Sequence, residues 1–95
     1  MKLNQIIKEL RTELILFKQT ETFEKSSYSK DIVAAIEIAM LLLEFAERHQ
    51  SKIREEDKFW FKGAYQVTRE FEEKEWRNIG LLYDRLVETA TNQYW

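Results

Sequence analysis

The chain has 95 residues, 15 of them basic and 17 acidic, for a net charge of −2. That balance excludes a strong overall field and leaves any nucleic-acid contact to a local patch. There is no cysteine and no proline, and Gly63 and Gly80 are the only glycines, which excludes disulfides, thiolate metal sites and cysteine nucleophiles and disfavours a turn-rich β architecture.

A chain of this length fits one helical-bundle domain over residues 1–95 that can fold on its own core. Residues Met1 to Gln5 lack the basic and then apolar opening of a secretory signal, so a cytoplasmic location is expected. The longest apolar run is shorter than the roughly 20 residues that a membrane span needs.

In chain order, the first helix is predicted over Leu3–Lys18. Leu3, Ile7, Leu10, Leu14 and Phe17 alternate four and three apart, which puts them on one stripe, and Ile6 widens it. Ile15 and Leu16 fall outside that stripe, so a second neighbour is expected near the end of this helix. Thr20 to Ser29 reads as a linker of hydroxyl and charged residues, with Ser29 as the N-cap of the second helix and Asp31 in its first turn.

The second helix carries the most informative run, Ile32 to Ala46. Thirteen of its fifteen residues are apolar, and Glu37 and Glu44 are the interruptions. A helix that is apolar nearly all round needs protein on most sides, so this one is expected at the centre of the bundle or in a subunit interface. Lys30, Glu37, Glu44, Arg48 and Ser51 fall in one narrow strip, taken as the exposed side. Opposite it, Ala35, Ala39 and Ala46 form a small-residue ridge for close helix packing or for a dimer contact.

The third helix is expected after the exit at Arg48–Ser51, with Ile53, Trp60, Ala64, Val67 and Phe71 facing the core. Arg54, Lys58, Lys62, Tyr65 and Arg69 recur on the opposite face, and Phe59 and Phe61 lie on its borders. Cations around a tyrosine and flanked by phenylalanines could track phosphates and stack a base, or meet an acidic protein. After Phe71 the register shifts by roughly a quarter turn to Trp76, Ile79, Tyr83, Leu86 or Val87, Ala90 and Tyr94. This marks a fourth helix, or a kink in one long last helix. Trp95 either folds back onto the bundle or anchors a partner.

Little here is suited to catalysis. His49 is the lone histidine and stands where a helix C-terminus is expected, a favourable place for a partial positive charge. A single histidine cannot supply a di-metal bundle, and neither a nucleophile elbow nor a phosphate-cradling glycine loop is present. No metal, cofactor or enzymatic activity is expected.

These observations predict an all-α antiparallel bundle of four helices, or three with a long kinked last one, with the second helix central. The function expected is a non-catalytic protein–protein interaction module, an adaptor, inhibitor or regulatory subunit that binds a larger partner and self-associates. The alternative is a nucleic-acid-binding accessory protein using the basic face of the third helix.

Overall fold

The computed structural model describes residues 2–63 and 74–95. Every regular element among the described residues is helical, as the apolar spacing and the lack of proline require. Helix α1 spans Leu3–Lys18, the predicted bounds, and buries Leu3, Ile6, Ile7, Leu10, Leu14 and Phe17.

The predicted linker is more ordered than its composition suggested. Thr20 opens a short helix α2 (Glu21–Lys25) by accepting the Phe23 N–H on its hydroxyl at 3.2 Å, while the same hydroxyl donates to the Phe17 carbonyl at 2.7 Å. One side chain thereby closes α1 and starts α2. Helix α3 then spans Ser27–His49, with Ser26 as its N-cap accepting from Ser29 N–H at 3.1 Å. This corrects the expected cap: Ser29 lies inside the helix and is buried, and Asp31 falls beyond the first turn.

Helix α3 ends on Gln50, whose φ of 50° is left-handed. The Ser51 N–H reaches the Ala46 carbonyl at 3.0 Å and the Gln50 N–H the Glu47 carbonyl at 3.3 Å. This paired pattern absorbs two carbonyls that would otherwise lack partners at the helix end. Residues 51–54 have no regular structure, Glu55–Asp57 form a 3-10 turn, and residues 58–63 are helical (α4). The last helix, α5, spans Lys74–Gln93.

Side-chain contacts fix the directions of the long helices. Arg11 pairs with Glu44, and Lys18 with Glu37 at 3.0 Å. The pairs advance seven residues on α1 and retreat seven on α3, so these two helices are antiparallel. Phe17 at the end of α1 meets Trp76 at the start of α5, with ring centroids 4.4 Å apart. The Ile53 N–H, just past α3, donates to the Tyr94 carbonyl, just past α5, at 2.8 Å. Thus α5 is antiparallel to α1 and parallel to α3, and residues 51–63 form a crossing segment that runs back along α3, from Ile53 beside Ala46 to Gly63 beside Ala35. Packing is most extensive between α1 and α5. Leu10, Ile36, Leu43, Ile79, Tyr83 and Leu86 are fully buried among the three long helices.

The expectation of an enclosed second helix is corrected. Helix α3 buries Ile32, Val33, Ile36, Ala39, Met40, Leu43 and Ala46 along one side, while Leu41 and Phe45 stay 62% and 57% exposed. The other long helices of a chain this short reach one side of α3, and the side that carries Leu41 and Phe45 is left to solvent. Ile15 and Leu16 of α1, for which a neighbour was expected, are also exposed. No helix among the described residues is long and apolar enough to cross a membrane.

Candidate partner-contact surfaces

The basic face predicted around residues 54–69 is only partly assembled. Arg54 is held by Asp57 at 3.1 Å and Glu56 at 3.6 Å, and the Asp57 hydrogen bond and charge raise its pKa further. Lys58 bonds Glu55 at 2.6 Å and lies over the Trp95 ring, 5.0 Å from its centroid. Its hydrogen bond and charge hold the Glu55 carboxyl below the usual value, with a smaller contribution from Lys62. The side chains of Phe59 and Lys62 are exposed, as a contact face would need. Tyr65 and Arg69 lie outside the described residues, as do Ala64, Val67 and Phe71.

Phe61 is the clear correction. The periodicity put it at the border of the basic face with Trp60 in the core, whereas Phe61 is fully buried and Trp60 is 37% exposed. The cause lies in residues 51–54. Ile53 is indeed buried, but it precedes the helix instead of belonging to it, so it cannot set the phase of residues 58–63. The Tyr83 hydroxyl donates to the Phe61 carbonyl at 3.4 Å, and burial pushes the Tyr83 phenol well above its ordinary pKa.

Trp95 stands edge-on to Phe61, with ring centroids 5.7 Å apart and planes at 87°. It is therefore engaged within its own chain, between Lys58 and Phe61. Beside it, partial burial and the charge of Glu47 raise the Tyr94 pKa. The alanine ridge also faces its own chain. Ala39 and Ala46 are buried, Ala46 lines a cleft of about 510 Å³ with Ile53 and Leu42, and Ala35 lines another with Phe59, Trp60 and Gly63. The small side chains accommodate the crossing segment 51–63.

The outward strip predicted on α3 is exposed at Lys30, Arg48 and Ser51 but not at its middle. Glu37 and Glu44 are half-buried against α1, paired with Lys18 and Arg11. The exposed side lies about a quarter turn further round, on Ala34, Ile38, Leu41 and Phe45. The 3.6-residue periodicity could not locate it, because apolar residues surround the helix and give no contrast between faces. The signal available was the pairing potential of the two glutamates with Arg11 and Lys18 across an antiparallel neighbour. His49 is exposed and stacks on Phe45, with ring centroids 4.2 Å apart. No cluster of three metal-ligating side chains occurs among the described residues.

Comparison with protein-family models, curated proteins and solved structures returned no match.

Proposed function

We propose that the protein is a non-catalytic interaction module that acts by stoichiometric binding, with the outer side of α3 as its contact surface. The observation that carries this reading is the adjacency of Leu41 and Phe45 on one helix, 62% and 57% exposed, flanked by Ile38 and Ala34. Single exposed leucines are ordinary, but a continuous apolar strip on a regular helix presents area that association can bury. Aromatic residues such as Phe45 supply much of the contact energy in interfaces. The alternative, a nucleic-acid-binding accessory role, has less support, because Arg54 and Lys58 already serve acidic neighbours and Phe61 is in the core.

The test is affinity capture from the native host with the intact chain and with a Leu41→Glu/Phe45→Glu variant, read by mass spectrometry. Both side chains are exposed, so the variant should keep its helix content by circular dichroism. Proteins retained by the wild-type chain and lost by the variant are the expected result. An identical set from both chains would remove α3 as the contact surface.

A further inference from the structure

The outer side of α3 has a pattern that specifies its occupant. Asp31, Ala34, Ile38, Leu41, Phe45 and Arg48 follow one another at spacings of three, four, three, four and three residues. That is the stripe by which two helices pack with interlocking side chains. All six are exposed or half-exposed. At 100° per residue the stripe runs between the flank that Glu37 and Glu44 present to α1 and the flank that Ala35 and Ala46 present to the crossing segment. Neither neighbour covers it.

The stripe reads in reverse as its own complement. In an antiparallel pairing about its midpoint, Asp31 meets Arg48, Ala34 meets Phe45, and Ile38 meets Leu41. Each match is chemically favourable: an acid with a base, a small residue with a large ring, and two branched aliphatic side chains of similar volume. A two-fold axis makes each match twice, which is the self-complementarity of an isologous interface. Among the described residues neither Asp31 nor Arg48 takes part in an ion pair within the chain. The opposed helix dipoles also favour this direction over a parallel one, which would place Asp31 against Asp31 and Arg48 against Arg48.

We infer that the outer side of α3 is occupied by a second copy of this chain, packed antiparallel along about 25 Å of helix from Asp31 to Arg48. This rests on the reading of that side as a contact surface and names the partner. The charged ends fix direction and register, and the four apolar residues between them supply the contact.

Sedimentation equilibrium of the full chain, from low micromolar to near millimolar concentration, tests it. The wild type should dimerise. Leu41→Glu strikes both central layers and should weaken the dimer by about 100-fold or more, with helix content unchanged. Asp31→Arg and Arg48→Asp each oppose like charges in two layers and should each weaken it by about tenfold. The double variant Asp31→Arg/Arg48→Asp should restore it. Restoration is specific to the antiparallel register, since a parallel pairing never brings these two positions together.

A wild type that stays monomeric throughout the range overturns the inference. So does a dimer indifferent to Leu41→Glu, or one that the double variant fails to restore. A monomer whose captured host proteins still depend on Leu41 and Phe45 would keep the interaction reading and remove only the second copy. Loss of that dependence as well would sink both.

Discussion

The Ile53 N–H donates to the Tyr94 carbonyl at 2.8 Å, tying the chain just past α3 to the chain just past α5. This bond holds residues 51–54 out of helical geometry at the end of the bundle where two parallel helices finish. It brings Trp95 within reach of Phe61 and Lys58, so three elements distant in sequence meet at one corner.

That corner predicts a stabilising role for Trp95. An edge-to-face aromatic pair contributes about 0.5–1.5 kcal/mol beyond its buried area, and a cation–π contact about 0.5–1 kcal/mol or more when partly buried. Trp95→Ala should therefore lower unfolding stability by at least about 1–2.5 kcal/mol in urea denaturation. No change would mean that Trp95 does not cover Phe61 in solution.

Trp60 and Phe61 supply a sharper test, because helical periodicity and the structure assign them opposite roles. Phe61→Ala empties a fully buried site and should cost about 3–5 kcal/mol. Trp60→Ala removes a side chain that is 37% exposed and whose ring meets the exposed Phe59 at 5.8 Å, and should cost less, about 1–2 kcal/mol. Thermal or urea unfolding of the two variants decides it. The reverse order would restore Ile53 to the helical register of Trp60.

Much of this fold was legible because its stripes are strong and uninterrupted. Leu3 to Phe17 gave α1 its bounds, and Trp76, Ile79, Tyr83, Leu86 and Ala90 of α5 are all fully buried, as their spacing required. The errors arose where local pattern competed with a tertiary contact. Ile53 shares an apolar spacing with Trp60, yet its backbone is committed to Tyr94. Ser26 and Ser29 are equally good caps by composition, and only the position of α2 selects Ser26. The exposed apolar side of α3 was hidden for a different reason. An all-apolar helix shows no preferred face until the pairing of Glu37 and Glu44 with α1 orients it.

Tyr83 gives a pH dependence whose sign follows from its burial. Its folded pKa is raised above the ordinary value near 10, so below pH 10 both states keep the proton and stability is unaffected. Above it the unfolded chain releases the proton while the folded chain retains it. Stability therefore falls as pH rises, by about 1.4 kcal/mol per unit for one proton. Urea unfolding at pH 9 and pH 11 should show a larger loss for the wild type than for Tyr83→Phe. The weak bond to Phe61 limits the cost of that variant at neutral pH to about 1 kcal/mol. Equal losses in the two chains would show that solvent reaches the phenol.

The backbone uses its residues against their preferences at two positions, and reversing both should stabilise it. Gln50 holds a left-handed φ of 50°, which costs a residue with a Cβ about 1–2 kcal/mol. Gly63 is helical, has no positive φ, and a Cβ added there would meet nothing within 4 Å. Glycine inside a helix is about 0.5–1 kcal/mol worse than alanine, through the freedom it loses on folding. Gln50→Gly relieves the first strain but takes on part of that same entropic cost, so its net gain should be under about 1 kcal/mol. Gly63→Ala should gain about 0.5–1 kcal/mol. The sites are separated by the crossing segment and share no contact, so the double variant should show the sum of the two gains in thermal unfolding. A loss of stability on Gln50→Gly would mean that α3 does not end in the paired carbonyl pattern at Ala46 and Glu47.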